Sequence, residues 1–526
     1  MKFRIKSNWL FLFFTISLII SFSCCQSQKE PEDLPIFIEE TTEFQNPALK
    51  PFYHGVASGD PLTNAVVIWT RVTPEEKVNE IKVSWEFAED KEFEMVLEKG
   101  VFVTDSLQDY TVKINVDELD PNTYYYYRFK ALNGISTVGR TKTAPIENAN
   151  LKFAVASCSN LQWGYFNAYQ GIAKEDSLDA VIHLGDYIYE HGEGVYADTS
   201  LERKHVPKHE IVSLGDYRTR YSQYRLDSDL QAAHAEHPFI AIWDDHEITN
   251  NAYMDGAQNH QDEEGDYKTR TEIAKKVYYE WMPIRESEHL YRELNFGEMA
   301  DLFMLDERLD GRTKQVDSIN DPTIGNEDRH ILGENQMKWL EGSLINSKAK
   351  WKIIGNQVIF SYQDWGYPNF KLNTDGWDGY PVEQANLTEF LRSNNLENVI
   401  FITGDTHSSW AFEVTNDPFN SYDTNTSEGA IAIEFGVTSI TSANSDEGNP
   451  KENVINHEKT IVGGKINPHL KYANMRDHGY LLLELSDSLA TGSFKMVETV
   501  KERKDSMFTD KVISVKNGEH KLNQIQ

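Results

Sequence analysis

Hydrophobic and polar positions change rhythm along the chain. From Phe52 to about Thr143 they alternate in short runs, AVVIWTRV, IKVSWEFA, YTVKINVDEL, YYYYRFKAL and STVGRTKTA, broken by GDP, PNT and NG. Successive side chains on a strand point to opposite faces, so this period predicts half-buried strands. Their close spacing, with no helical stretch between them, predicts a small immunoglobulin- or fibronectin-like β-sandwich over residues 48–146. After TAPIENAN the runs become apolar: LKFAVASCS, AVIHLGD, PFIAIWDDHE, DLFMLDER, WKIIGNQVIF, NVIFITGDTH, AIAIEFGVTS and GYLLLELSD. The stretches AYQGIAKEDSLDA and YRTRYSQYRLDSDLQAAHA read as helices among them. Strands that alternate with helices and end in polar clusters predict an α/β core over 150–500, with its chemistry at the strand C-terminal ends. Residues 501–526 are expected to be a C-terminal tail, and no internal repeat is visible.

The start of the chain has another pattern. MKFRIK is basic, Trp9 to Phe22 is apolar but too short to span a bilayer, and SFSCCQSQ follows. This predicts a signal peptide over 1–24, and Ser23–Cys24 is similar to a bacterial lipobox, so Cys24 is expected to carry lipid. Residues 25–47 then form a tether. The expected location is exported and lipid-anchored to the bacterial envelope, periplasmic or on the outer-membrane surface.

Charge and cysteine count narrow the chemistry. With 83 Asp and Glu against 51 Lys and Arg, the formal net charge is −32, which excludes non-specific binding of polyanions such as nucleic acid. An anionic substrate then needs a local cationic centre, which bound metal ions would supply. Of the 3 cysteines, Cys24 is expected to carry lipid and Cys25 sits beside it at the start of the tether, leaving Cys158 outside any disulfide framework. It is an inert core thiol, a nucleophile or a metal thiolate.

Four strand ends form a set: Cys158 in ASCSN, Asp186 and Tyr189 in GDYIYE, Asp244, Asp245 and His246 in WDDHEITNN, and Asp405 and His407 in GDTH. Taken singly, Cys158 and Tyr189 are core residues and His246 a structural histidine. Together they bring thiolate, phenolate, carboxylate and imidazole to one sheet edge, the donor types of a polynuclear metal site. Asp405 and His407, two apart on an extended strand, would face the same way.

GDxxY, a DHE-type motif and GDxH, in that order, resemble the calcineurin-like metallophosphoesterases. Cys158, WDDHE and the early GVASGDP narrow the likeness to the PhoD-like alkaline phosphatases, with YYEWMP, LDER, LGENQMKWL and DGWDGYP in support. The resemblance implies a metallophosphoesterase sandwich of two central mixed β-sheets flanked by helices, behind the N-terminal β-domain. It implies that Cys158, Tyr189 and His407 bind a primary metal, that Asp186 bridges two metals, and that Asp245 and Asp405 bind the second, with Asn250 as a further oxygen ligand. Thiolate and phenolate around one ion favour Fe3+ over zinc, and an all-oxygen set favours Ca2+; the resemblance implies the same pair. It also implies hydrolysis of small or polymeric phosphate esters by a metal-activated hydroxide, without a covalent phosphoenzyme. His246 is expected near the leaving oxygen. Arg308 is expected either on phosphate oxygens or paired with a core carboxylate, Asp244 on His246 or a backbone amide, and Asn356 or Gln357 near the second metal. Rival readings are a phosphodiesterase acting on teichoic-acid-like polymers, nucleic acid or lipid, and a non-catalytic surface lipoprotein. Nothing in the chain points to a protein partner.

Overall fold

A computed structural model describes residues 38–76, 78–147 and 149–525. The expected signal peptide, Cys24 and the first part of the tether lie outside these residues. The tether is shorter than expected: Ile38–Thr41 is helical, and Thr41 Oγ1 lies 3.1 Å from Ser222 Oγ on the helix Leu214–Arg225.

The strands assemble into two large mixed sheets and one smaller one. The first large sheet has ten strands, ordered Asn523–Gln524, Met507–Lys516, Leu489–Val497, Gly479–Leu485, Leu151–Ala156, Ala180–His183, Pro238–Ala241, Val56–Gly59, Val66–Arg71 and Thr111–Val116. Its centre is parallel, with Ala156, His183 and Ala241 level across three strands. The residues after these strands therefore emerge side by side. The second has seven strands, ordered Arg292–Phe296, Ala300–Met304, Trp351–Asn356, Val399–Thr403, Ala432–Gly436, Ser409–Val414 and Leu470–Asn474.

The alternation of Ala300–Met304 and Val399–Thr403 shows why both faces are apolar. Leu302, Met304, Ile400 and Ile402 point into the core shared with the ten-stranded sheet, where the rings of Phe153 and Phe296 lie 5.0 Å apart. Phe303, Leu305, Val399 and Phe401 point the other way, onto Leu340 and Leu344 of the helix Gly333–Asn346 and Leu387 and Leu391 of the helix Pro381–Ser393. Each strand is thus buried twice, which accounts for the unbroken apolar runs.

Two expectations on boundaries change. Residues 501–526 are not a tail: Met507–Lys516 pairs antiparallel with Leu489–Val497, and Asn523–Gln524 adds a further strand. The N-terminal region is β-rich with its own core around Phe52, Val83, Trp85, Tyr125 and Phe129, but it shares a sheet with the rest. Val56–Gly59 pairs in parallel with Pro238–Ala241, through Ser58 to Pro238 and Gly59 to Phe239. The strand Val96–Thr104, whose outer residues are largely exposed, has no counterpart among the predicted runs. The long helical stretch breaks into Leu214–Arg225 and Ser228–Glu236, because Asp227 leaves the helix and caps the next one, accepting from Asp229 N and Leu230 N. Among the described residues no helix is long and apolar enough to cross a membrane.

Candidate metal centre

All four predicted strand ends converge. Cys158 Sγ, a carboxylate oxygen of Asp186 and a ring nitrogen of His407 lie within 4.8 Å of one another, as do single ligand atoms of Asp186, Asp245 and His246, and of Asp244, Asp245 and Asp405. The Tyr189 hydroxyl joins the first group, 2.8 Å from Asp186 Oδ2 and 3.4 Å from His407 Nε2.

The delivery is by turns rather than by straight strands. Cys158, Asp186, Asp405 and His407 all have left-handed backbones, with φ of +60°, +55°, +60° and +56°. Such a conformation in a non-glycine residue costs on the order of 1 kcal/mol, and it gathers at functional sites where the surroundings enforce it. The enforcement is visible here. Cys158 N donates to Gly185 O at 3.1 Å, and Glu247 accepts from the backbone N–H groups of Asp186, Tyr187 and Asp244 at 3.0, 2.6 and 2.9 Å. Gly185 must be glycine: φ is +100°, and a Cβ there would sit 2.3 Å from Asp244 N.

Electrostatically the cluster holds more acidic groups than its own cations can balance. Burial first, then the neighbouring Asp186, Asp405 and Asp244, push the Cys158 thiol well above its usual range. Burial and like charge likewise raise Asp186, Asp405 and Tyr189. Buried Asp244 Oδ2 and Asp245 Oδ1 have no hydrogen-bond partner. A metal ion would reverse each of these penalties, so the donor set fits one. His407 is arranged to match: Nδ1 donates to Ala443 O at 2.8 Å, burial lowers the ring to about 4, and neutral Nε2 turns its lone pair to Tyr189.

Of the two roles expected for Arg308, phosphate contact or pairing with a core carboxylate, the structure shows the second: it is fully buried, and its guanidinium pairs with Asp244, with Asp375 at 2.7 Å and with Asp405 at 3.3 Å. It is the internal counter-charge of the acidic cluster, and it, rather than His246 or a backbone amide, holds Asp244. Asn250 donates its amide nitrogen to Gln258 Oε1 at 2.9 Å, and its neighbour Asn251 donates its backbone N–H to Asp245 Oδ2 at 2.6 Å. Asn356 Oδ1 accepts from Trp377 Nε1 and so serves the fold, whereas Gln357 donates its amide to Trp243 O and Leu305 O and leaves its buried Oε1 without a partner.

His246 stands over Tyr189, rings 4.1 Å apart, and Glu190 Oε2 lies 2.6 Å from its Nδ1. Burial opposes charge on this ring, but Glu190, Asp245 and Asp186 outweigh it and keep the imidazolium well above the usual range. Glu190 was missed although it closes the quoted motif GDYIYE. Tyr196, 3.2 Å from His407 Nδ1, and Ser442, 2.6 Å from the Tyr189 hydroxyl, were also missed; they lie on loops without a motif.

The family model described as PhoD-like phosphatase matches residues 153–494, and that of the PhoD-like phosphatase N-terminal domain matches 39–145. The chain belongs to the PhoD-like phosphatase family. Alkaline phosphatase D of Bacillus subtilis (strain 168) is 37% identical over 449 residues, which cover 81% of this chain and 74% of that protein. Of the solved structures, one titled "Structure of PhoD" matches with a TM-score of 0.81 and 33% identity, covering 91% of this chain and 93% of that one. The first family model begins within Leu151–Ala156, the strand that leads to Cys158, and the N-terminal one ends at residue 145.

Proposed function

We propose that this PhoD-like phosphatase, a phosphoric ester hydrolase by family, works through the cluster around Asp186. Cys158, Tyr189 and His407 would hold Fe3+, Asp186 would bridge, and Asp245 and Asp405 would hold Ca2+. The observation that carries this is the meeting of thiol, carboxylate and imidazole atoms within 4.8 Å at the ends of strands from two sheets. Bound there, the ions would supply Lewis acidity to the phosphate oxygens and to water.

The chain's own part follows from its geometry. His246, held protonated by Glu190, is the group with a proton to give to a leaving oxygen, through Nε2. Asp405 and His407 are the half-buried edge of the centre, and substrate would enter there. Of the nearby hydroxyls, Ser159 Oγ is committed to the Tyr169 hydroxyl at 2.6 Å, Thr406 Oγ1 accepts from Trp410 Nε1 at 2.9 Å, and Ser157 is fully buried away from an entering substrate. This supports direct hydrolysis without a phosphorylated serine or threonine.

Metal analysis of the purified protein, with turnover of p-nitrophenyl phosphate and of its bis ester, tests the reading. Iron and calcium in an active preparation are expected; an active enzyme holding only zinc would overturn the metal assignment. The lipid anchor is part of the same proposal, resting on Ser23–Cys24 after a basic and apolar leader. Cys24→Ser should move the protein from the membrane to the soluble fraction, and unchanged fractionation would refute the anchor.

A further inference from the structure

Outside this centre, a second group of ligand-type side chains has an unmet need for positive charge. Asp446 and Glu447, and His478 just before the strand Gly479–Leu485, place one ligand atom each within 4.8 Å of one another. The tautomer of His478 follows from its neighbour. Ser439 Oγ donates its only hydrogen to Ser442 O at 2.6 Å, so towards His478 Nδ1, 2.9 Å away, it can only accept. Nδ1 therefore carries a proton, and Nε2 of the neutral ring presents a lone pair.

That lone pair has no hydrogen-bond partner, although His478 is only 6% exposed. It faces Glu447 Oε1 at 3.6 Å, and Asp446 Oδ1 is also buried without a partner. Acceptors that face one another repel unless something positive lies between them. A proton on Nε2 would serve one carboxylate; a divalent cation would serve all three groups. Lys501 Nζ sits on both Glu447 oxygens, at 3.1 and 3.2 Å, and on Asp198 at 3.0 Å, so it competes for Glu447 while leaving His478 Nε2 and Asp446 Oδ1 unmet.

We propose that Asp446, Glu447 and His478 form a second divalent-cation site, separate from the phosphatase centre. One imidazole and two carboxylates suit a borderline ion such as Zn2+ or Mn2+ better than Ca2+, which takes oxygen ligands alone. The site has a structural reach. Ala443, whose carbonyl orients His407, lies three residues before Asp446 on the same loop, and Ser445 N ties that loop to Met475 O at 2.9 Å. An ion here would brace the backbone that aims His407.

The test is calorimetric titration of Zn2+ into the metal-loaded full-length protein and into Asp446→Asn, His478→Gln and Lys501→Met. The parent is expected to bind one Zn2+ beyond its resident metals. Asp446→Asn and His478→Gln should each weaken that binding at least about ten-fold, and Lys501→Met should tighten it by removing the competing ammonium. Turnover without added zinc should stay at the parent level in Asp446→Asn, which separates this site from the phosphatase centre. Absence of an extra zinc in the parent, or equal affinity in Asp446→Asn, overturns the proposal. If His478→Gln does not fold, Asp446→Asn and Lys501→Met still decide, because both positions are partly exposed.

Discussion

Glu190 Oε2 lies 2.6 Å from His246 Nδ1, and that contact fixes both the direction and the charge of the imidazole. With Nδ1 bound to a carboxylate, the proton available for transfer is the one on Nε2. Glu190→Gln keeps the shape but removes the charge, so the raised pKa of His246 falls. We expect kcat to drop by about 10²-fold, the usual scale of general acid catalysis, with metal content unchanged and the alkaline limb of the rate profile moved to lower pH. A profile that does not move would mean that His246 is not the proton donor.

Cys158 offers the most visible test. A thiolate and a phenolate on Fe3+ should give absorption in the visible range, so the purified protein should be coloured. Cys158→Ser should lose iron, colour and activity together while the fold, read by circular dichroism, survives. If this variant keeps full metal and turnover, the thiol is a core residue and the iron assignment falls.

Asp405 and His407 come from one turn but should fail differently. His407→Ala removes a donor from the group containing Cys158 and should abolish colour with activity. Asp405→Asn weakens the group of Asp244, Asp245 and Asp405, so iron and colour should persist while the calcium needed for half-maximal activity rises by at least about ten-fold. Identical losses in iron per chain would show that the two residues share one ion.

Glu307 provides a stability test away from the ligands. It is fully buried, accepts from Val358 N and Trp377 Nε1 at 2.8 Å each, and burial nevertheless raises its carboxyl to about 8. The folded protein then holds a proton that the unfolded chain, with a glutamate near 4.3, has released, so this group's contribution is lost as pH rises through that window. Glu307→Gln removes the dependence. The difference in unfolding free energy between variant and parent should move in the variant's favour by about 1.4 kcal/mol per pH unit between pH 5 and 8 in urea titrations. A flat difference would show ordinary ionisation of Glu307.

The convergence of these side chains was legible because metal chemistry restricts residue types, and strands that end in such types are rare by chance: Cys158, Asp186, Asp245, Asp405 and His407 come together in the fold. The sheets were legible from their apolar runs. What pattern cannot show is which partner a long side chain will choose. Arg308 could have served a phosphate or a carboxylate, and only the fold places Asp244, Asp375 and Asp405 around it. Tyr196, Ser442 and Ala443 act from loops, where neither period nor motif marks them. The strand Met507–Lys516 was missed because its half-exposed, charged sequence needs the neighbouring strand Leu489–Val497 to become a sheet.

The pairing of Val56–Gly59 with Pro238–Ala241 bears on how such chains can be cut and recombined. The two family models meet at a border that looks like a seam between modules, yet the hydrogen-bond ladder runs across it. Deleting the N-terminal module would strip one side of the strand that carries WDDHE and leave raw parallel-sheet edge beside the centre, a surface prone to aggregate. The module is therefore a splint rather than an accessory. Gene fusions or truncations designed at residue 146 should yield insoluble protein, whereas those made ahead of Ile38 leave every strand among the described residues with its neighbour.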